Sequence, residues 1–98
     1  MKVDISGLSK FFENRVRLGI MSILMVNDSY DFNSLKAALG VTDGNLASHL
    51  KALEENSLIK VNKQFIGKKP NTSYSATGTG EKLFKTHLKA LEDIIAKQ

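Results

Sequence analysis

The chain contains no cysteine. That excludes disulfides, thiolate metal sites and cysteine nucleophiles together, and it suits a reducing compartment. Long apolar runs are also missing. The longest, around Leu18 to Val26, is broken by Ser22 and followed by Asn27 and Asp28, too short to span a bilayer. No cleavable signal precedes it, so a cytoplasmic location is expected, with no membrane partner. There is no low-complexity tract and no internal repeat. With 98 residues, 42% of them apolar, there is material for one domain over residues 1–98 and a single core.

Catalytic constellations are missing as well. His49 and His87 fall in different segments, and neither has a cysteine or acidic residue at ligand spacing. Glu54 and Glu55 are adjacent, which points them in different directions on a helix. Thr77-Gly78-Thr79-Gly80 lacks the Lys-Ser/Thr of a phosphate loop. This pair of glycines is expected to loosen the entry into the last helix. His87 sits in an apolar stripe and is expected to pack rather than ligate. No enzyme, cofactor or metal is expected.

The net charge is +4, and its location matters more than its size. Lys60, Lys63, Lys68 and Lys69 lie within thirteen residues, Lys60 to Thr72, that hold no acid. The rest of the chain balances to zero. A local basic cluster is the footprint expected of phosphate binding. On charge alone, a solvated lysine hairpin explains it equally well.

The most informative stretch is Asn33 to Ile59. Asn33 and Ser34 offer an N-cap ahead of Leu35, Ala38 and Leu39, which share one helical face. Gly40 supplies a left-handed stop, and Val41 packs the turn. Thr42 then caps a second helix in which Leu46, Leu50 and Leu53 recur at spacings of four and three. The opposite face presents Asn45, Ser48, His49 and Ala52. Two helices joined by so short a turn form a helix-turn-helix, whose second helix can enter a DNA major groove. Gly44 costs helix stability, about 1 kcal/mol relative to alanine. It also removes a side chain where backbone N–H groups could approach phosphate; simple tolerance of glycine near a helix start fits nearly as well. Asn45 can pair with adenine, and Thr42, Asn33 and Ser34 could donate to phosphates or only cap. Asp43 favours the helix dipole but would repel phosphate.

Around this stretch, Leu8 to about Val26 reads as one helix capped by Ser6 or Ser9, with an apolar stripe extended by Met21 and Met25. Tyr30 to Phe32 reads as a short extended piece. Ile59, Val61 and Phe65 alternate with polar residues as a strand with one buried face. A Gly67–Asn71 loop and a strand over Thr72, Tyr74 and Ala76 follow. Thr77 caps a final helix, about 77–97, bearing Leu83, Phe84, His87, Leu88, Leu91, Ile94 and Ile95.

ALGVTDGNLASHLKALEENSLIK resembles the recognition segment of winged helix-turn-helix transcriptional regulators in the MarR/ArsR-like grouping. NRVRLGIMSILM resembles their first helix, and IKVNKQFIGKKPNTSYSATGTGEKLF their two-stranded wing and following helix. The resemblance covers nearly the whole chain and is closest to the small single-domain type. It implies an α+β, mostly helical fold: a three-helix core, a two-stranded β-wing and a C-terminal dimerisation helix. It implies double-stranded DNA as partner, read by Thr42, Asp43, Gly44, Asn45, Ser48 and His49. The wing lysines Lys60, Lys63, Lys68 and Lys69 would lie on flanking backbone, with Asn33 and Ser34 touching phosphates. Relatives often carry arginine where Ser48 stands, which shifts the expected affinity toward backbone contacts. Phe84, Leu88, Leu91 and Ile95, with Met21 and Met25, are expected to form a homodimer interface, because the stripe is wider than one small core needs. The residues name no small-molecule effector. The competing expectation is a winged-helix module for protein–protein contacts in a larger assembly.

Overall fold

The computed structural model describes residues 2–97; Met1 and Gln98, the ends of the expected domain, lie outside them. A single 3₁₀ turn, Lys10–Phe12, precedes α1 (Arg15–Leu24), β1 (Tyr30–Asp31), α2 (Phe32–Leu39), α3 (Asp43–Glu55), β2 (Ile59–Ile66), β3 (Lys69–Ala76) and α4 (Gly78–Ala96). The strands form one antiparallel sheet in the order β1-β3-β2. This is the expected winged helix-turn-helix, with one addition: β1 pairs Tyr30 with Tyr74 and Asp31 with Ser73. The sheet therefore has three strands. β3 is central there, which explains why Ser73 and Ser75 are buried although they alternate with apolar residues. The Ser75 hydroxyl donates to the Asp28 carbonyl at 2.8 Å.

The first helix is shorter than its apolar pattern suggests. Ser9 caps only the 3₁₀ turn, and the Asn14 side chain accepts from the N–H groups of Val16 and Arg17 to start α1 afresh. The interruption lets Phe12 turn inward and meet Phe84 edge-on, with ring centroids 5.1 Å apart. His87 packs there as expected: it is buried, and its Nδ1 accepts the Ser9 N–H at 2.9 Å. Asp31, rather than Asn33 or Ser34, caps α2 by accepting from the Ser34 N–H. Gly40 ends α2 in the left-handed region, at φ 64°.

The core is built from Val16, Ile20, Met21 and Leu24 of α1, Leu35 of α2, and Leu46, Leu50 and Leu53 of α3, closed by Leu58, Ile59, Tyr74 and Phe84. Ala38, expected on the inner face of α2, is exposed. Met21 is 0% exposed and Phe84 3%. Neither is surplus apolar surface, so both drop out of the expected dimer interface: each fills the chain's own core.

Two elements project from this core. The radius of gyration is 15.0 Å, against about 13 Å for a compact chain of this length. One is the hairpin β2–β3. Its turn is only Gly67-Lys68, so Lys69, Pro70 and Asn71, expected in a loop, belong to β3. Gly67 takes φ 66° at the first of two central positions, where a II′ hairpin turn needs a positive φ. Pro70 opposes Phe65, one pair beyond the turn-closing pair, where a strand's N–H points away from its partner and proline removes no ladder bond. Phe65 lies too far out to be buried and is 73% exposed, with Ile66 at 62%. The other projection is the second half of α4, whose buried residues, Gly80, Phe84 and His87, all fall in the first half.

α4 enters the fold at a crowded junction. Leu58 N–H returns to the Leu53 carbonyl, Thr77 N–H donates to the Leu58 carbonyl at 3.1 Å, and the Thr77 hydroxyl donates to the Ser57 carbonyl at 2.6 Å. Gly80 sits directly against Leu58, and a Cβ there would run into the Leu58 carbonyl oxygen. Gly80 thus tightens the entry of α4 instead of loosening it. Gly80→Ala should cost about 2–3 kcal/mol, at the upper end of overpacking, measured by urea denaturation; Gly78, which faces open space, should tolerate alanine.

Candidate nucleic-acid interface

α3 is fixed by its leucines. Leu46, Leu50 and Leu53 are at most 2% exposed, each contributing about 1.5–3 kcal/mol of burial, so the outer face is set by default. Thr42 caps the helix as expected, its hydroxyl oxygen accepting from Asn45 N–H at 3.2 Å. Asn45 and Ser48 are exposed, and their side chains hold no hydrogen bond among the described residues. A Cβ on Gly44 would meet nothing within 4 Å. Nothing inside the fold asks for glycine there.

Asp43 forms a 2.7 Å ion pair with Lys36 of α2. The pair bridges the turn and offsets the charge that would otherwise repel phosphate, though an exposed pair adds little stability. Ser34 is occupied: its hydroxyl donates to Asp31 Oδ1 at 2.6 Å and its N–H to Oδ2 at 3.1 Å. These bonds hold the Asp31 carboxyl below its ordinary range. Asn33 remains exposed in the first turn of α2.

His49 departs from the expected face. It lies about 60° round the helix from Leu46, on the shoulder toward α1, and is half-buried. Arg17 Nε–H donates to His49 Nδ1 at 3.0 Å. Burial first, and then the Arg17 charge, lower the His49 pKa.

The four wing lysines are exposed and join no ion pair among the described residues. The register separates them. Lys63 pairs with Thr72 and Phe65 with Pro70, on the sheet face that carries Val61 and Tyr74. Val61, Lys63, Thr72 and Tyr74 border an open groove with Ala47, Leu50, Lys51 and Glu54 of α3. Lys60 and Lys69 alternate onto the other face, and Lys68 stands in the turn. The wing thus offers Lys63 toward the helix and a basic tip beyond it, not one flat patch.

Three basic residues were not among the expected contacts. Lys51 is one helical turn beyond Ser48 on the same outer face and only loosely paired, 3.9 Å from Glu55; its phase in the helix was signal enough. Arg15 and Arg17 stand at the start of α1, and only the packing of α1 across α3 brings them to the site. No cluster of three or more His, Cys, Asp or Glu residues that could hold a metal occurs among the described residues. No helix there is long and apolar enough to cross a membrane.

A helix pair joined by a glycine turn, a polar outer face on its second member and a hairpin at its flank define a winged helix-turn-helix protein. The chain belongs to the winged helix DNA-binding domain family, whose pattern it matches over residues 16–95. It is 37% identical over 79 residues to an uncharacterized protein of Methanocaldococcus jannaschii, MJ0432, covering 81% of this chain and 86% of that one. Among solved structures it is similar to a transcriptional regulator homologue from Pyrococcus horikoshii OT3, with a TM-score of 0.84 and 36% identity over 91% of this chain and 88% of that one. A protein of Enterococcus faecalis V583 assigned to the MarR family of transcriptional regulators shares the fold, with a TM-score of 0.72 and 22% identity over 89% of this chain and 80% of that one.

The lowered His49 pKa has a measurable consequence. Between that value and about 6.5, the unfolded chain binds more protons than the native one. The contribution to stability is full above this window and is lost as pH falls through it. The urea midpoint should drop on going from about pH 7.5 to about pH 5, and should drop less in His49→Gln.

Proposed function

We propose that the protein is a sequence-specific regulator that binds double-stranded DNA as a homodimer. α3 lies in the major groove, and the basic wing lies on the flanking backbone or minor groove. The observation that carries this reading is the outer face of α3. Asn45 and Ser48 have free side chains, Gly44 has no partner inside the fold, and Lys51 adds charge. Free hydrogen-bonding groups on a rigid helix suit base edges, and a bare first turn suits close approach of phosphate. The acid-free wing supplies the long-range attraction. A cytoplasmic location follows from such a role.

Homodimerisation is supported by the end of α4. Leu88, Leu91 and Ile95 are 39%, 44% and 65% exposed and fall on one line of the helix, while the Lys89–Asp93 pair marks the opposite side. Met25 is half-buried at the end of α1. Joining two such stripes across a two-fold axis covers them and sets two recognition helices about one DNA turn apart.

The reading as a protein-binding module draws on Phe65 and Ile66, whose exposed side chains a protein partner would cover. Salt dependence separates the two. Each lysine that neutralises a phosphate contributes about 0.9 to the slope of log affinity against log salt. Changing both Lys68 and Lys69 to alanine should lower the slope by up to about 1.8 and weaken all duplexes alike. An unchanged slope removes the wing from the interface, and no binding to random duplex at low salt favours the module. Leu91→Glu should convert a dimer into a folded monomer by light scattering and abolish tight operator binding; a wild-type monomer at micromolar concentration contradicts the dimer.

A further inference from the structure

Arg15 and Arg17 are the only arginines in the chain, and both lie in the first turn of α1. Neither forms an ion pair among the described residues. Arg15 is exposed and, with Asn14, lines one side of a shallow groove whose other side is Thr42, Asn45 and His49. α3 itself holds one lysine, Lys51, and no arginine. Packing of α1 against α3 therefore delivers guanidinium groups to a recognition helix that has none.

Arg17 is restrained twice. Its Nε–H donates to His49 Nδ1 at 3.0 Å, and its guanidinium carbon lies 5.8 Å from the centroid of the Phe11 ring. Neither contact uses the terminal Nη groups, and these carry no partner among the described residues. A planar fork held at Nε and on one face, with both Nη groups free, matches two oxygens of a phosphate. Fixing it before binding removes part of the ordering cost. His49 can accept at Nδ1 only as the neutral imidazole with its proton on Nε2, and its lowered pKa keeps it in that form. A brace between α1 and α3 would need the Nε contact alone and would leave no reason for an unpaired fork.

We propose that Arg17 is a DNA-phosphate contact lent to the recognition helix by α1, and that His49 is the positioning residue that holds its fork. This rests on the DNA-binding reading above and replaces His49 as a direct reader of bases.

The test is a salt series of duplex titrations with the full chain, on a preferred duplex and a random one. Arg17→Leu should lower the slope by about 0.9 and weaken both duplexes roughly tenfold, the size of one charge-assisted hydrogen bond. His49→Leu should keep the slope and lose affinity on both. His49→Gln, whose side-chain carbonyl can accept from Nε, should restore it. Arg17→Lys keeps the charge without the fork, so the slope should persist while affinity falls, which covers the case in which Arg17→Leu does not fold. Loss confined to the preferred duplex would make Arg17 a guanine contact and overturn the assignment. Unchanged DNA binding with a lowered denaturation midpoint would make the pair a brace. A wild-type chain that binds neither duplex overturns the regulator reading itself, a different failure.

Discussion

Burial of one face of α3 is the constraint on which the rest depends. Leu46, Leu50 and Leu53 lock into a core made by α1, α2 and the base of the sheet, and a helix gripped along one stripe has no freedom of rotation. Its remaining residues face where geometry sends them: Asn45 and Ser48 outward, Ala47 toward the wing with Lys51 between it and Ser48, His49 toward α1. The polar face is therefore an outcome of packing, and its rigidity lets short side chains such as serine and asparagine act at fixed positions.

The same core sets both projections. β2 begins at Ile59, buried, and runs outward until Phe65 and Ile66 stand in solvent. α4 begins against Leu58 and leaves the core after His87. Ser57 takes φ 59° between α3 and the wing, and the carbonyls of Ser57 and Leu58 both receive Thr77. One small junction thus fixes the direction of the wing and of the last helix relative to α3. A dimer built on α4 would inherit that geometry in the spacing of its two recognition helices.

Helices and caps with a local cause were legible in the sequence. Gly40, Thr42, Thr77 and the leucine repeat of α3 each act through residues three or four positions away. What depended on distant chain was not legible. The break at Asn14 lies inside a helical apolar pattern, and only the inward turn of Phe12 onto Phe84 gives it a purpose. Gly80 resembles a flexible hinge until Leu58, twenty-two positions earlier, is seen to press on it. Met21 reads as surplus because periodicity counts apolar faces without knowing how many neighbours surround them. At the site, the outer residues of α3 followed from helical phase, but Arg17 and His49, thirty-two positions apart, meet only in the fold.

The central claim is that two copies of this chain present α3 to one face of a DNA duplex. Selecting bound duplexes from a random pool tests it most directly. The account expects two inverted half-sites with centres about 10–10.5 base pairs apart or a multiple of that. Enrichment of a single unpaired half-site, or no enrichment at all, would contradict it.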